Sequence, residues 1–344
     1  MIQGTVRTEK EYRQLDKDSS SSLKLFSQDK RKYYKVYIEG KKEPEEDESK
    51  ASVVGRVVDT LLLEKEEFDN RFLMSSLAKA PTGNMEKFVE ALYRYTRDAK
   101  EDTPFEEIAR SAYKESGFKW AFDTVLAKFV GSDAEIYYKE LIDVREKGLT
   151  IVTIDDVTNA ERIVEELKTN EFTADIINKK SDHRFEVYAQ LQVDGYSIDG
   201  LELKSMMDKC IVDHEKKTIQ VGDLKCSWSV EGFYEEYYLY RRAYIQCYLY
   251  KEAAKSFFKD LVDREYKVLN PKFIVCDSIN YYNPLIYAST DEDLKEAYEG
   301  FEYKGRTYPG VKEIIEELKW AKENNKWNIS KKNYINRGIV SLKP

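Results

Sequence analysis

The sequence predicts an α/β fold: a sheet flanked by helices, with a largely helical segment inserted ahead of it. Three observations carry the prediction. Residues 185–193 (FEVYAQLQV) alternate apolar and polar without a break, the period-2 mark of a strand, and two further strand-like runs follow. From about 83 to 178 the apolar residues recur at helical spacing instead. A long helical run then follows the third strand, from about 229 to 256.

The elements follow in chain order. Residues 18–38 (DSSSSLKLFSQDKRKYYKVYI) open with a Ser run suited to capping a helix, with Leu23, Leu25 and Phe26 as its apolar residues. Lys30, Arg31, Lys32 and Lys35 form a local basic patch, which reads either as a solvated helix end or as a phosphate contact. The charged run GKKEPEEDESK (40–50) reads as a surface loop. In ASVVGRVVDTLLLE (51–64), Val54, Val57, Val58, Leu61 and Leu62 recur as on a buried helix, and Asp59 stands out among them. Amphipathic stripes then run through the helical segment, the last capped by Thr153 or Asp155.

In the first strand Phe185, Val187, Ala189, Leu191 and Val193 face one way, and Glu186, Tyr188, Gln190 and Gln192 the other. Asp194 and Gly195 suit a turn. A second strand covers about 197–212, DHEKK turns the chain, and TIQVGDLKCS is a third, giving an antiparallel meander. The helix after it is capped by Ser229. KFIVCDS and PLIYAS read as strands, and VKEIIEELKWAKENN as a closing helix.

Composition narrows the functions. The 344 residues suffice for two ordinary domains, and 56 basic against 64 acidic residues give a net charge of −8. That balance disfavours broad nucleic-acid binding, which draws its affinity from Lys and Arg on phosphates; a local basic groove is the route left open. No stretch approaches the roughly 18 apolar residues of a membrane span, and the polar N-terminus lacks a signal-peptide core. Cys210, Cys226, Cys247 and Cys276 are scattered, with no CxxC pair, which fits a reducing, cytoplasmic setting and speaks against a zinc ribbon. His183 and His214 are the two histidines, too few for a His-rich metal site.

One constellation carries chemistry. Asp223 and Lys225, two apart, project from one face of the third strand. Folding the hairpin near residue 215 brings Asp208 opposite residues 222 and 223. Two carboxylates and an amine then meet, with the Leu224 carbonyl between them, an oxygen set suited to Mg²⁺ or Mn²⁺. A bound ion lowers the pKa of its water and clamps a phosphate, and Lys225 stabilises the charge that develops on it. Asp-Leu-Lys alone is a weak signal, most often an exposed ion pair. Here it sits in an otherwise apolar strand, where unpaired charge is costly. Gln246 and Tyr250, four apart on the following helix, share one face; the tyrosines around them read as packing.

These residues resemble the PD-(D/E)XK nuclease superfamily, in its RecB-like branch with the QxxxY motif. They resemble most closely the phage and prophage RecE-type (exonuclease VIII-like) exonucleases. Members open with a Ser-rich helix followed by Tyr, as in SSSSLKLFSQDKRKYY. They continue with a G-x-x-x-H-x-L-L helix and a helical insertion before the acidic core. The resemblance spans most of the chain. It implies a restriction-endonuclease-like core, a central mixed sheet flanked by helices with a helical insertion. Residues 1–80 would form the N-terminal part of the core, 81–180 the insertion, and 181–344 the catalytic core and C-terminal helix. It makes Asp208 and Asp223 metal ligands, Lys225 the catalytic lysine, and Gln246 and Tyr250 positioners of DNA or of metal-bound water. Glu186 matches a family carboxylate near the site and reads equally as a surface glutamate. Asp59 replaces the family's His; it either still ligates the metal or marks a weakened site. Relatives with an iron–sulfur cluster hold it through an N-terminal Cys and a C-terminal Cys group. The first Cys here is Cys210 and no such group follows, so no cluster is expected. The implied activity is Mg²⁺-dependent exonucleolysis at duplex DNA ends in phage-type recombination or end processing, in the cytoplasm of a bacterium or phage-infected host. A homo-oligomer and a recombinase or annealing protein are the implied partners, with no membrane. The rivals are a catalytically weak or inactive nuclease-fold DNA-binding or assembly protein, and a structure-specific endonuclease.

Overall fold

The computed structural model describes residues 2–3, 7–41, 50–279 and 283–340. Most of the charged run at 40–50 lies outside them. The chain divides into two compact units, one formed by Met1–Ser52 with Glu165–Pro344, the other by Val53–Val164. Both divisions fall inside helices, Lys50–Leu63 and Ile154–Thr169. Residues 53–80 thus fold with the helical unit and 165–180 with the sheet, whereas the segment limits expected from the sequence were 80 and 180.

The strands in chain order are β1 (Ile2–Gln3), β2 (Phe72–Met74), β3 (Thr150–Val152), β4 (Phe185–Ile198), β5 (Leu201–Asp213) and β6 (Thr218–Ser227). β7 (Lys267–Val268), β8 (Lys272–Asp277), β9 (Leu285–Ala288), β10 (Gly300–Tyr303) and β11 (Arg306–Pro309) follow. The first unit is a mixed α/β layer with sheet order β1-β4-β5-β6-β8-β9, β7 also pairing β6. β4, β5 and β6 form the antiparallel meander read from the alternation. β1 joins β4 and β8 joins β6 in parallel, and β9 closes antiparallel.

The sheet is flanked by helices, among them Ser20–Gln28, Ala243–Phe257 and Val311–Asn324, and their shared core explains why they sit there. Leu23 and Phe26, Tyr244 and Leu249, and Ile315 and Leu318 are buried in one apolar cluster with Leu203, Met207, Val212 and Val221 of the strands. Ser19 caps the first of these helices reciprocally with Ser22. Asp18 anchors it: this buried carboxylate accepts hydrogen bonds from Ser22 Oγ (2.9 Å), Tyr33 OH (2.8 Å) and Lys322 Nζ (2.7 Å).

Two local expectations are corrected. The β4–β5 turn falls at Asp199–Gly200, with φ of 49° and 75°, the doubly left-handed pair that a two-residue hairpin loop needs. At Asp194–Gly195 the strand runs on, its register shifting by one residue between Val193 and Tyr196. A strand-interior Gly thus marks a bulge rather than a turn. The helix after β6 is also not continuous. Tyr234–Tyr240 is a π-helical segment, Arg242 takes a left-handed φ of 55°, and the helix proper begins at Ala243.

In the second unit, helices Gly83–Asp98, Phe105–Ser116, Phe122–Phe129 and Asp133–Glu146 bury Phe88, Leu92, Ala112, Val125, Phe129 and Leu141 together. Thr153 caps helix Ile154–Thr169 through a reciprocal pair with Asp156. β2 and β3 pair in parallel here, strands of three residues, too short for periodicity to reveal. Among the described residues no helix is long and apolar enough to cross a membrane.

Candidate functional site

The meander sets the site. Lys209 pairs with Gly222 across β5 and β6, so the next step of the ladder puts Asp208 opposite Asp223. The backbone N–H of Leu224 donates to Asp208 Oδ2 at 2.8 Å, tying the two strands together at this point. Asp223 is almost wholly buried, 1% exposed, while Asp208 is half-buried. Lys225 comes from the same face of β6: its ammonium lies against Asp223 Oδ2 and donates to the Leu224 carbonyl at 3.2 Å. Asp223 Oδ2 is buried yet accepts no hydrogen bond of ordinary geometry.

Helix Ala243–Phe257 completes the arrangement. The Gln246 side-chain NH₂ donates to Asp223 Oδ1 and to Tyr250 OH, both at 2.8 Å. Tyr250 OH in turn donates to the Met206 carbonyl at 2.6 Å. The Gln246 amide is therefore spent on holding Asp223 and Tyr250, which makes it a positioner of the carboxylate. Burial, reinforced by the charges of Asp223 and Asp208, pushes the Tyr250 hydroxyl pKa well up, so it stays a neutral donor.

Two participants were not found from the sequence. Gln190, opposite Asp208 in the β4–β5 register, reaches Asp208 Oδ1 with its side-chain NH₂ at a long 3.5 Å. Lys24, on helix Ser20–Gln28, donates to Gln246 Oε1 at 2.9 Å. Burial and the like charge of Lys225 push its ammonium pKa down to about 7, against an upward pull from Asp223. The only local signal for Lys24 is a charged residue between Leu23 and Leu25, and its partner is 222 positions away.

The structure thus brings together Asp208, Asp223, Leu224, Lys225, Gln246 and Tyr250. It does not bring Glu186 to them. Glu186 stands opposite Val212, accepts from Tyr188 OH at 2.7 Å and pairs with His214 Nε2 at 3.1 Å. The face it shares with Gln190 is not a solvent face throughout, since Tyr188 packs edge-on against Phe257 and Phe258. Asp59 belongs to the second unit, half-buried on helix Lys50–Leu63. Of the basic patch, Lys30 is ion-paired with Glu317, Arg31 and Lys35 are exposed, and Lys32 is half-buried. Asp29 caps the backbone there, accepting from Arg31 N and Lys32 N at 2.9 Å each.

No family model matches this chain, and no curated protein does. A solved structure from Eubacterium rectale, proposed to be an exonuclease, superposes with a TM-score of 0.49 at 13% identity, over 99% of this chain and 96% of that one. A likeness at that level says nothing of activity.

Proposed function

We propose that this protein is a divalent-metal-dependent deoxyribonuclease that works as an exonuclease on duplex ends in phage-type recombination or DNA end processing. One observation carries the reading: Asp208 and Asp223 from neighbouring strands converge with Lys225, inside a network that fixes Asp223. Spending Gln246 and Tyr250 to orient one buried carboxylate is more than an exposed ion pair needs.

The residues fit a hard cation. Asp223 Oδ2 is a buried oxygen held against the Lys225 ammonium, Asp208 Oδ1 meets Gln190 at a long 3.5 Å, and the Leu224 carbonyl accepts from Lys225 at 3.2 Å. Among the described residues no three His, Cys, Asp or Glu side chains cluster as a metal cage. An ion here would complete its shell with water and a phosphate oxygen, as Mg²⁺ does. When bound it would supply an activated water and neutralise the phosphate. The chain's own part is to hold the two carboxylates in register and to place the Lys225 ammonium where phosphate charge develops.

Incubation of linear duplex DNA with Mg²⁺ or Mn²⁺ tests this, the expected result being shortening from the ends while covalently closed circles stay whole. Cutting of the circles would favour the endonuclease rival. No cutting by the wild-type protein would favour a binding or assembly role. Lys225→Ala is expected to slow cleavage by at least about 100-fold and, by leaving the buried Asp223 carboxylate without its cation, to lower the melting temperature of a protein that still folds; normal cutting by that variant would sink the residue assignment.

A further inference from the structure

The geometry points to Lys24 as a second phosphate-binding cation of this site, contacting a non-bridging oxygen of the DNA backbone alongside Lys225. The inference rests on the nuclease reading above. Lys24 is no loose surface lysine. Its helix is fixed by the buried Asp18 network and by Leu23 and Phe26 in the core. The ammonium is half-buried, and among the described residues it forms no ion pair and donates one hydrogen bond, to the neutral amide of Gln246. Lys204, by contrast, is satisfied structurally, donating to the carbonyls of Tyr12, Arg13 and Leu15 at 3.1, 3.0 and 2.8 Å.

A half-buried ammonium with two unused donors, beside a second ammonium, is poorly compensated until an anion arrives. The local charges agree. When Lys24 is charged, Asp208 and Asp223 balance it and Lys225, two against two. A divalent ion on the carboxylates would leave the cluster two charges positive, which a phosphodiester backbone offsets. Lys24 approaches through the amide that holds Asp223, so the phosphate it binds would lie next to the proposed metal ligands.

The test is equilibrium binding of a fluorescein-labelled linear duplex to the full chain across a salt series in Ca²⁺, by fluorescence anisotropy, with DNA length checked on a gel. Wild type, Lys24→Gln and Lys24→Arg are compared, with melting curves for each. One lost phosphate contact should reduce the slope of log K against log salt by about 0.9. The expectation is that Lys24→Gln shows that reduction and Lys24→Arg does not. A Lys24→Gln slope equal to wild type, with cleavage lost, would show that Lys24 acts only through Gln246 and overturns the inference. Equal loss in Lys24→Arg and Lys24→Gln overturns it too. Failure of the wild-type protein to bind DNA at any salt is a separate outcome, which removes the nuclease reading with it.

Discussion

At the scale of single residues, the site turns on the difference between touching and holding. Asp223 is buried and oriented by Gln246, which in turn meets Lys24 and Tyr250. Gln246→Leu should leave Asp223 Oδ1 and the Lys24 ammonium without that partner. A cost of about 1–3 kcal/mol is expected for unpaired buried polar groups, read from urea denaturation. On the proposed function, a Gln246 that orients the carboxylate through its hydrogen bond to Asp223 should, when changed, lower kcat far more than it raises KM. A large rise in KM at unchanged kcat would place Gln246 on the substrate instead. Asp223, Lys225, Gln246 and Tyr250 were legible as neighbours because each is a polar side chain at a spacing that secondary structure converts into a shared face. Glu186 has the right residue type on the right strand face, but it lies four positions short of Gln190, the residue that the register sets opposite Asp208. Alternation assigns a face, whereas position along the strand depends on the bulge and the turn.

At the scale of elements, the β4–β5–β6 meander must hold its register for Asp208 and Asp223 to meet, since a slip of one residue would send Asp208 to the opposite face. The far end of the meander is pinned by Arg184, whose guanidinium donates to Asp213 at 3.2 and 2.8 Å, while the Asp213 carboxylate also accepts from the N–H groups of Glu215 and Lys216 in the turn. The Arg184 hydrogen bonds are the main cause that holds Asp213 down to about 2. A carboxylate with a depressed folded pKa contributes stability above its unfolded value, roughly 3.9, and loses it as pH falls toward about 2. Arg184→Ala is expected to raise the Asp213 pKa toward the ordinary range and to flatten the acid limb of the stability curve between those values. An NMR titration of the Asp213 carboxyl that stays near its wild-type midpoint would contradict this. The break at Arg242 belongs to the same scale: the tyrosine-rich run reads as one helix, yet the left-handed residue ends a π-helical segment so that Ala243–Phe257 starts afresh.

At the scale of the whole molecule, an acidic chain must bring its cations to one place if it is to meet a polyanion, and Lys24 and Lys225 do so beside two carboxylates. A metal bound by the native state alone raises stability by mass action, about 2.7 kcal/mol at a hundredfold excess over Kd. Mn²⁺ should therefore raise the melting temperature of the wild-type protein in a concentration-dependent way, and Asp208→Asn should abolish the shift. An equal shift in that variant would locate the ion elsewhere. The sequence by itself determined the α/β class, the meander, the flanking helices and the core of the acidic constellation, because hydrophobic period and hairpin register are local properties that short-range sterics impose. Only the tertiary structure decided that Lys24 reaches Gln246 from the other end of the chain, that Glu186 turns to His214, and that residues 53–80 pack with the helical unit. Those outcomes depend on which distant apolar faces bury one another, and no local pattern encodes that choice.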